Sequence, residues 1–152
     1  MQTMETPDRR TENSVERNLE AARRLFRAVE HRDRAGVMAA YDENIVINEA
    51  SSLPYGGEYR GHEGALRHGL GFRATWDRFQ PQDACGLDPW FVAQGDHVVA
   101  VWRQKAENTQ TGQKIDLPAV SIYRFANGKI VESRMLHFDT AALLDFLGGS
   151  GR

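Results

Sequence analysis

The sequence holds a single cysteine, Cys85, among 152 residues, which excludes an internal disulfide framework and any cysteine-rich metal site. No apolar run approaches the length needed to span a bilayer. The arginines near the N-terminus have no apolar stretch behind them, so no signal peptide is expected. An excess of either charge is also missing. The 19 basic and 21 acidic residues leave a formal net charge of −2, which offers no basic field to nucleic acid or to an anionic membrane. Lysine is scarce, present only at 105, 114 and 129, and arginine supplies the other 16 basic residues. What is present is ordinary for a globular chain: 41% hydrophobic and 26% charged residues, enough to argue against disorder. A chain of this length buries roughly 70% of its unfolded surface as one domain. A soluble, cytoplasmic domain is the expectation.

The apolar pattern sets out one domain over residues 13–147, between a flexible arm (1–12) and a flexible tail (148–152). Asn13 followed by Glu16 has the form of a capping box. Behind it Val15, Leu19, Ala22, Phe26 and Val29 mark one face of a helix running to about residue 31. Asp33 is placed to cap a short second helix carrying Val37, Met38 and Tyr41. The period then shortens: Ile45 and Ile47 alternate with Val46 and Asn48 in a strand ending near Glu49. Residues 51–57 read as a loop, and a third helix follows over about 62–79, closed by Pro81. Strand-like bursts occupy 90–93, 97–106, 115–125 and 129–138, and Asn127-Gly128 between the last two is a strong hairpin signal. Asp139 or Thr140 caps a final helix over 141–147. Helices first and strands after them argue an α+β fold, with helices on one face of a bent sheet and a pocket between the layers.

These pieces resemble the SnoaL-like, ketosteroid-isomerase-related branch of the nuclear transport factor 2-like superfamily. The resemblance runs from about residue 18 to 147. It is carried by Phe26-Arg27-Ala28-Val29-Glu30-His31-Arg32-Asp33, by Leu53-Pro54-Tyr55-Gly56-Gly57 with Tyr59-Arg60-Gly61, by Thr111-Gly112, by the stretch from Tyr123 to Glu132, and by Phe138-Asp139-Thr140. It implies a cone-shaped fold, three helices packed on a strongly curved and mostly antiparallel sheet that encloses a pocket, and a homodimer formed through the sheet. It does not imply one reaction, since isomerases, polyketide cyclases, epoxide hydrolases, dehydratases and binding modules share the fold. The isomerases of this branch place a phenol, a carboxylate base and a protonated acid at positions matched here by Leu25, Asn48 and Ser121. Ser121 also matches the acid of the aldol-type cyclases. Arg103 falls near the arginine of the epoxide hydrolases' relay, with no matching aspartates around it. None of the three mechanisms transfers directly.

The residues themselves suggest other groups. Strand alternation puts Val99, Val101, Arg103 and Lys105 on one side, Ala119, Ser121 and Tyr123 on one side, and Val131, Ser133, Met135 and His137 on one side. The family match turns these sides toward the pocket. A pocket-facing Arg103 needs a partner, for which Glu49 is the candidate; the alternative is that Arg103 and Lys105 lie on the exposed or dimer face, with Glu49 in solvent. His137 is the histidine expected on an inward strand position and suits general acid–base work, although a satisfied structural role is open to it. His68 stands one helical turn before Phe72 and Trp76 and could face the same cavity. Tyr55 and Tyr59 are expected at the mouth as hydrogen-bond donors, with a plug-like packing of Tyr55 as the alternative.

The expected catalytic residues are therefore Glu49, Arg103 and His137. The expected ligand contacts are Asn48, Tyr55, Tyr59, His68, Phe72, Trp76, Ser121 and Met135. Gly69-Leu70-Gly71 lies within a helical pattern with no strand before it, so no phosphate loop and no cofactor is expected. Histidines at close ligand spacing are missing, so no metal is expected. The function expected is acid–base chemistry of the isomerase, cyclase, dehydratase or epoxide-hydrolase kind on a hydrophobic carbonyl or epoxide. The alternative is a non-catalytic binding or accessory module that uses the same pocket.

Overall fold

The helical period that starts near Val15 is carried by one long helix. A computed structural model describes residues 9–80 and 86–148, and in it α1 spans Arg9–Glu30, with Ala21, Ala22, Leu25, Phe26 and Ala28 on its buried side. The helix begins a turn before the expected start, so residues 9–12 are helical rather than part of an arm. Asn13 and Glu16 are then interior helical positions, not a capping box. Residues 1–8, the 149–152 part of the tail, Pro81 and Cys85 lie outside the described residues. Asp33 caps α2 (Arg34–Ala40) as its residue type predicts, its side chain accepting from the Gly36 amide at 3.0 Å.

The chain continues through β1 (Tyr41–Glu49), β2 (Gly57–Arg60), α3 (Gly61–Trp76), a single 3₁₀ turn (Asp77–Phe79), β3 (Trp90–Gln94), β4 (His97–Glu107), β5 (Lys114–Ala126), β6 (Lys129–His137) and α4 (Thr140–Gly148). Strand β2 carries no apolar alternation and is too short to signal itself in the sequence. The strands form one six-stranded sheet in the order β2-β1-β6-β5-β4-β3. Every neighbouring pair is antiparallel except β1 with β6, which run parallel. At the β5–β6 turn Asn127 (φ 51°) and Gly128 (φ 76°) are both left-handed, as a two-residue primed hairpin requires. This is the α+β cone architecture expected from the sequence.

Helix α3 lies on β1 and β2, and α1 lies on β3 and β4. One core cluster sits between α1 and the sheet, where the Phe26 ring meets Phe91, Trp102 and Tyr123 edge-on. A second cluster gathers Leu53, Tyr55, Trp76, Phe79, Leu143 and Phe146 under α4.

One strand faces the other way from the expectation. In β4 the inward residues are Val98, Ala100, Trp102, Gln104 and Ala106. Arg103 and Lys105 therefore lie on the outer face, where Arg103 Nε donates to Asp116 at 2.7 Å and Lys105 pairs with Asp88. A one-residue change of phase exchanges the two faces of a strand.

Candidate active site

The alternation of β1 buries Ile45, Ile47 and then Glu49. The last of these is a carboxylate in the interior, and an isolated one there would be costly. Glu49 is not isolated. Its Oε2 accepts from His68 Nε2 of α3 at 3.0 Å, and its Oε1 accepts from His137 Nε2 of β6 at 3.0 Å and from the Ala50 amide at 2.9 Å. Burial opposes ionisation of Glu49, but the hydrogen bonds and positive character of His137 and His68 outweigh it and hold the carboxyl near 2, below its ordinary 4.5. A folded-state value below the unfolded one stabilises the protein above about pH 4.5 and is lost as the pH falls towards 2. At about 1.4 kcal/mol per unit, the contribution lost is about 3 kcal/mol. Urea unfolding between about pH 5 and pH 2.5 measures it, and Glu49→Gln should flatten the slope. An unchanged slope would show that Glu49 is not the group responsible.

The ionised Glu49 accepts from the Nε2–H of both imidazoles, so each Nδ1 is turned away from the carboxylate. The two rings then differ. His137 is sealed: its side chain is 2% exposed and Nδ1 is buried with no partner among the described residues. It bonds Glu49 and does not line the cavity, so its part is to hold the carboxylate. His68 lines the cavity and is held between the edges of Tyr55 and Tyr59. Its Nδ1 has no hydrogen bond among the described residues and is not shut off from solvent. Among the described residues no group of three or more His, Cys, Asp or Glu is disposed to hold a metal ion; His68, Glu49 and His137 bond one another instead.

The cavity, about 460 Å³, lies between α1, α2, α3 and the inner face of the sheet. Such a volume takes a drug-sized ligand. Leu25, Phe26, Val37, Met38 and Phe72 make apolar walls, and Tyr41, Trp102, Ser121, Tyr123 and Met135 line the sheet side. Ser121 Oγ accepts from Trp102 Nε1 at 3.0 Å and donates to Met135 Sδ at 2.9 Å. Burial raises Tyr41 to about 12 and Tyr123 further, so both phenols stay protonated donors. A second groove, about 630 Å³, lies between α1, α2 and the β5–β6 turn and contains none of the expected site residues.

A SnoaL-like domain matches residues 22–133, most of the chain and all of the cavity's sheet wall except Met135. The chain belongs to the SnoaL-like family. Solved structures with the same architecture include TerC, crystallised with polyporic acid (TM-score 0.74, 20% identity, 86% of this chain and 98% of that one). A nuclear transport factor 2-like protein from Burkholderia pseudomallei gives a TM-score of 0.72 at 22% identity, over 86% of this chain and 96% of that one. A Jannaschia protein named for a SnoaL-like polyketide cyclase gives 0.66 at 20% identity, over 95% and 96%. At these identities the likeness is one of fold. No curated protein matches the chain in sequence.

Within the SnoaL-like fold, the expected residues fall into three groups. His68, Phe72, Ser121 and Met135 line the cavity, and Glu49 and His137 stand behind His68. Arg103 is on the other face of the sheet with Asp116, so the expected Arg103–Glu49 pair does not form. Asn48, one residue from Glu49, takes the opposite side of β1 and lines neither this cavity nor the second groove. Tyr55 is 3% exposed and accepts from Trp76 Nε1 at 2.7 Å, and its backbone carbonyl accepts from the Tyr59 hydroxyl at 3.0 Å. Tyr55 of the loop and Tyr59 of β2 thus pack against one another and α3, and are not donors at the mouth. Trp76 is fully buried in the second cluster. Tyr41 and Tyr123 line the cavity beyond the expected set. Tyr123 shares the inward side with Ser121, and that shared side was the signal available.

Proposed function

We propose that this protein is a small-molecule enzyme in which His68 is the general base, oriented by Glu49, and that it acts on a hydrophobic carbonyl compound. The observation that carries the reading is His68, whose Nε2 is bonded to a buried carboxylate while its Nδ1 has no partner among the described residues beside an apolar cavity. A proton α to a carbonyl passes to Nδ1, and its electron pair moves through the new C=C bond to the carbonyl oxygen. A protonated phenol, Tyr41 or Tyr123, is available to donate to that oxygen. Glu49 remains ionised and stabilises the imidazolium until the proton is returned at carbon. Such a sequence completes an isomerisation, or starts a cyclisation or elimination. The test is deuterium exchange: ketones that bind should acquire deuterium at the α carbon in deuterium oxide, followed by NMR. If no bound ketone exchanges, the cavity serves binding alone.

The outer sheet face supports a second copy as partner. Trp90, Val101, Val120 and Leu136 are direct neighbours across four strands and form an apolar row, with Trp90 58% and Leu136 45% exposed. Covering such a row removes apolar surface from water. Leu136→Asp is expected to shift the protein from dimer to monomer in sedimentation at micromolar concentration. A wild-type monomer there would rule out the dimer.

A further inference from the structure

We infer that the ligand of this cavity is an amphipathic acid, with an apolar body that enters the cavity and an anionic group that stays at its rim against Arg34. The inference rests on the cavity's being a ligand site, as proposed above, and adds the charge and the orientation of what it takes.

Charge at the rim is unevenly balanced. Three guanidinium groups, Arg32, Arg34 and Arg73, line the opening with two carboxylates, Asp33 and Asp77. Asp77 is shared: its Oδ1 lies 3.6 Å from Arg32 and 3.5 Å from Arg73, at the long end of ion pairing. Asp33 is engaged as the cap of α2, accepting from the Gly36 amide. Arg32 and Arg73 are also tied to backbone, Arg32 to the Gln80 carbonyl at 3.4 Å and Arg73 to the Val29 carbonyl at 2.5 Å. These bonds hold two cations in place. Arg34 is exposed and has neither an ion pair nor a side-chain hydrogen bond among the described residues. It is the rim cation with its donors available, and a guanidinium suits a planar or tetrahedral oxyanion.

The inner end has the opposite character. Glu49 stands ionised behind His68, and no guanidinium or ammonium lines the cavity away from the rim. An anion at the inner end would therefore meet a fixed negative charge in a region of low dielectric and lose its hydration. An acid is oriented one way only, with its charge at Arg34 and its apolar body directed toward His68. A neutral ligand of the same shape has no such constraint.

The probes are anilinonaphthalene sulfonate and its uncharged parent phenylnaphthylamine, which share one apolar body. Binding is read from the labelled methyl groups of Met38 and Met135, which line the cavity. At low ionic strength both probes should shift these resonances, and the sulfonate should bind about tenfold more tightly. Arg34→Ala should remove that preference without changing the affinity of the neutral probe, and Arg34→Lys should restore part of it. Equal affinities in the wild type, or equal losses for both probes in Arg34→Ala, would overturn the anionic class and leave the cavity as a ligand site. If neither probe shifts Met38 or Met135, the ligand-site reading falls, and this inference with it.

Discussion

Replacing Glu49 by alanine is expected to lower the unfolding free energy by about 3–5 kcal/mol, the range for removing one member of a buried charged hydrogen-bonded set. Three donors lose their acceptor in this variant: the Nε2–H groups of His68 and His137 and the Ala50 amide. Neither imidazole can turn to bulk water, since the His137 side chain is 2% exposed and that of His68 10%. Each orphaned buried donor carries its own desolvation cost. Glu49→Gln keeps the volume and one acceptor oxygen, and should lose about 1–3 kcal/mol. Equilibrium urea unfolding at pH 7 measures both. A loss below about 1 kcal/mol for Glu49→Ala would mean that the carboxylate does not hold the two rings together.

Replacing His68 by glutamine should lower the rate of α-carbon exchange by 10²–10⁴-fold, the usual worth of a positioned general base. The same change at His137 separates chemistry from support. His137 faces Glu49 and not the cavity, so His137→Gln should act chiefly on stability, by about 1.5–3 kcal/mol for one lost hydrogen bond to a charged group. His68 lies at the cavity wall, so its loss should show in rate while the probes still shift the Met38 and Met135 methyl groups. If His137→Gln slows exchange as much as His68→Gln while stability is unchanged, the roles given to the two rings are wrong.

Much of the fold was legible because local rules and tertiary packing agree in it. The helical face from Val15 to Val29, the Asp33 cap and the Asn127-Gly128 turn each follow from one segment's own chemistry. The site was harder to read because it depends on which way each strand faces. In β1 the alternation that buries Ile45 and Ile47 carries Glu49 inward and turns Asn48 outward, so only one of the two residues expected at the site could reach it. In β4 both faces are apolar in the first half: Val98 and Ala100 inside, Val99 and Val101 outside against solvent or a partner. There alternation does not choose a phase. The decision rests on Arg103 and Lys105, whose charges are cheaper to hydrate than to bury. Matching Arg103 to a family position turned it inward, against that preference. The meeting of His68 with Glu49 was beyond reach by pattern alone, because it depends on where α3 lies across β1.

The parallel pairing of β1 with β6 has a consequence in time. It joins the first strand of the sheet to the last, and the contact between Glu49 and His137 spans 88 residues of chain. Contacts between such distant segments close late, after the entropy of the intervening loop has been overcome. Until β6 docks, His68 can meet Glu49 across only 19 residues, but the carboxylate has one imidazole donor and not two. The full set of hydrogen bonds on Glu49 therefore comes into being with the closing of the sheet. A nascent or partly unfolded chain carries every residue of the site without the site itself.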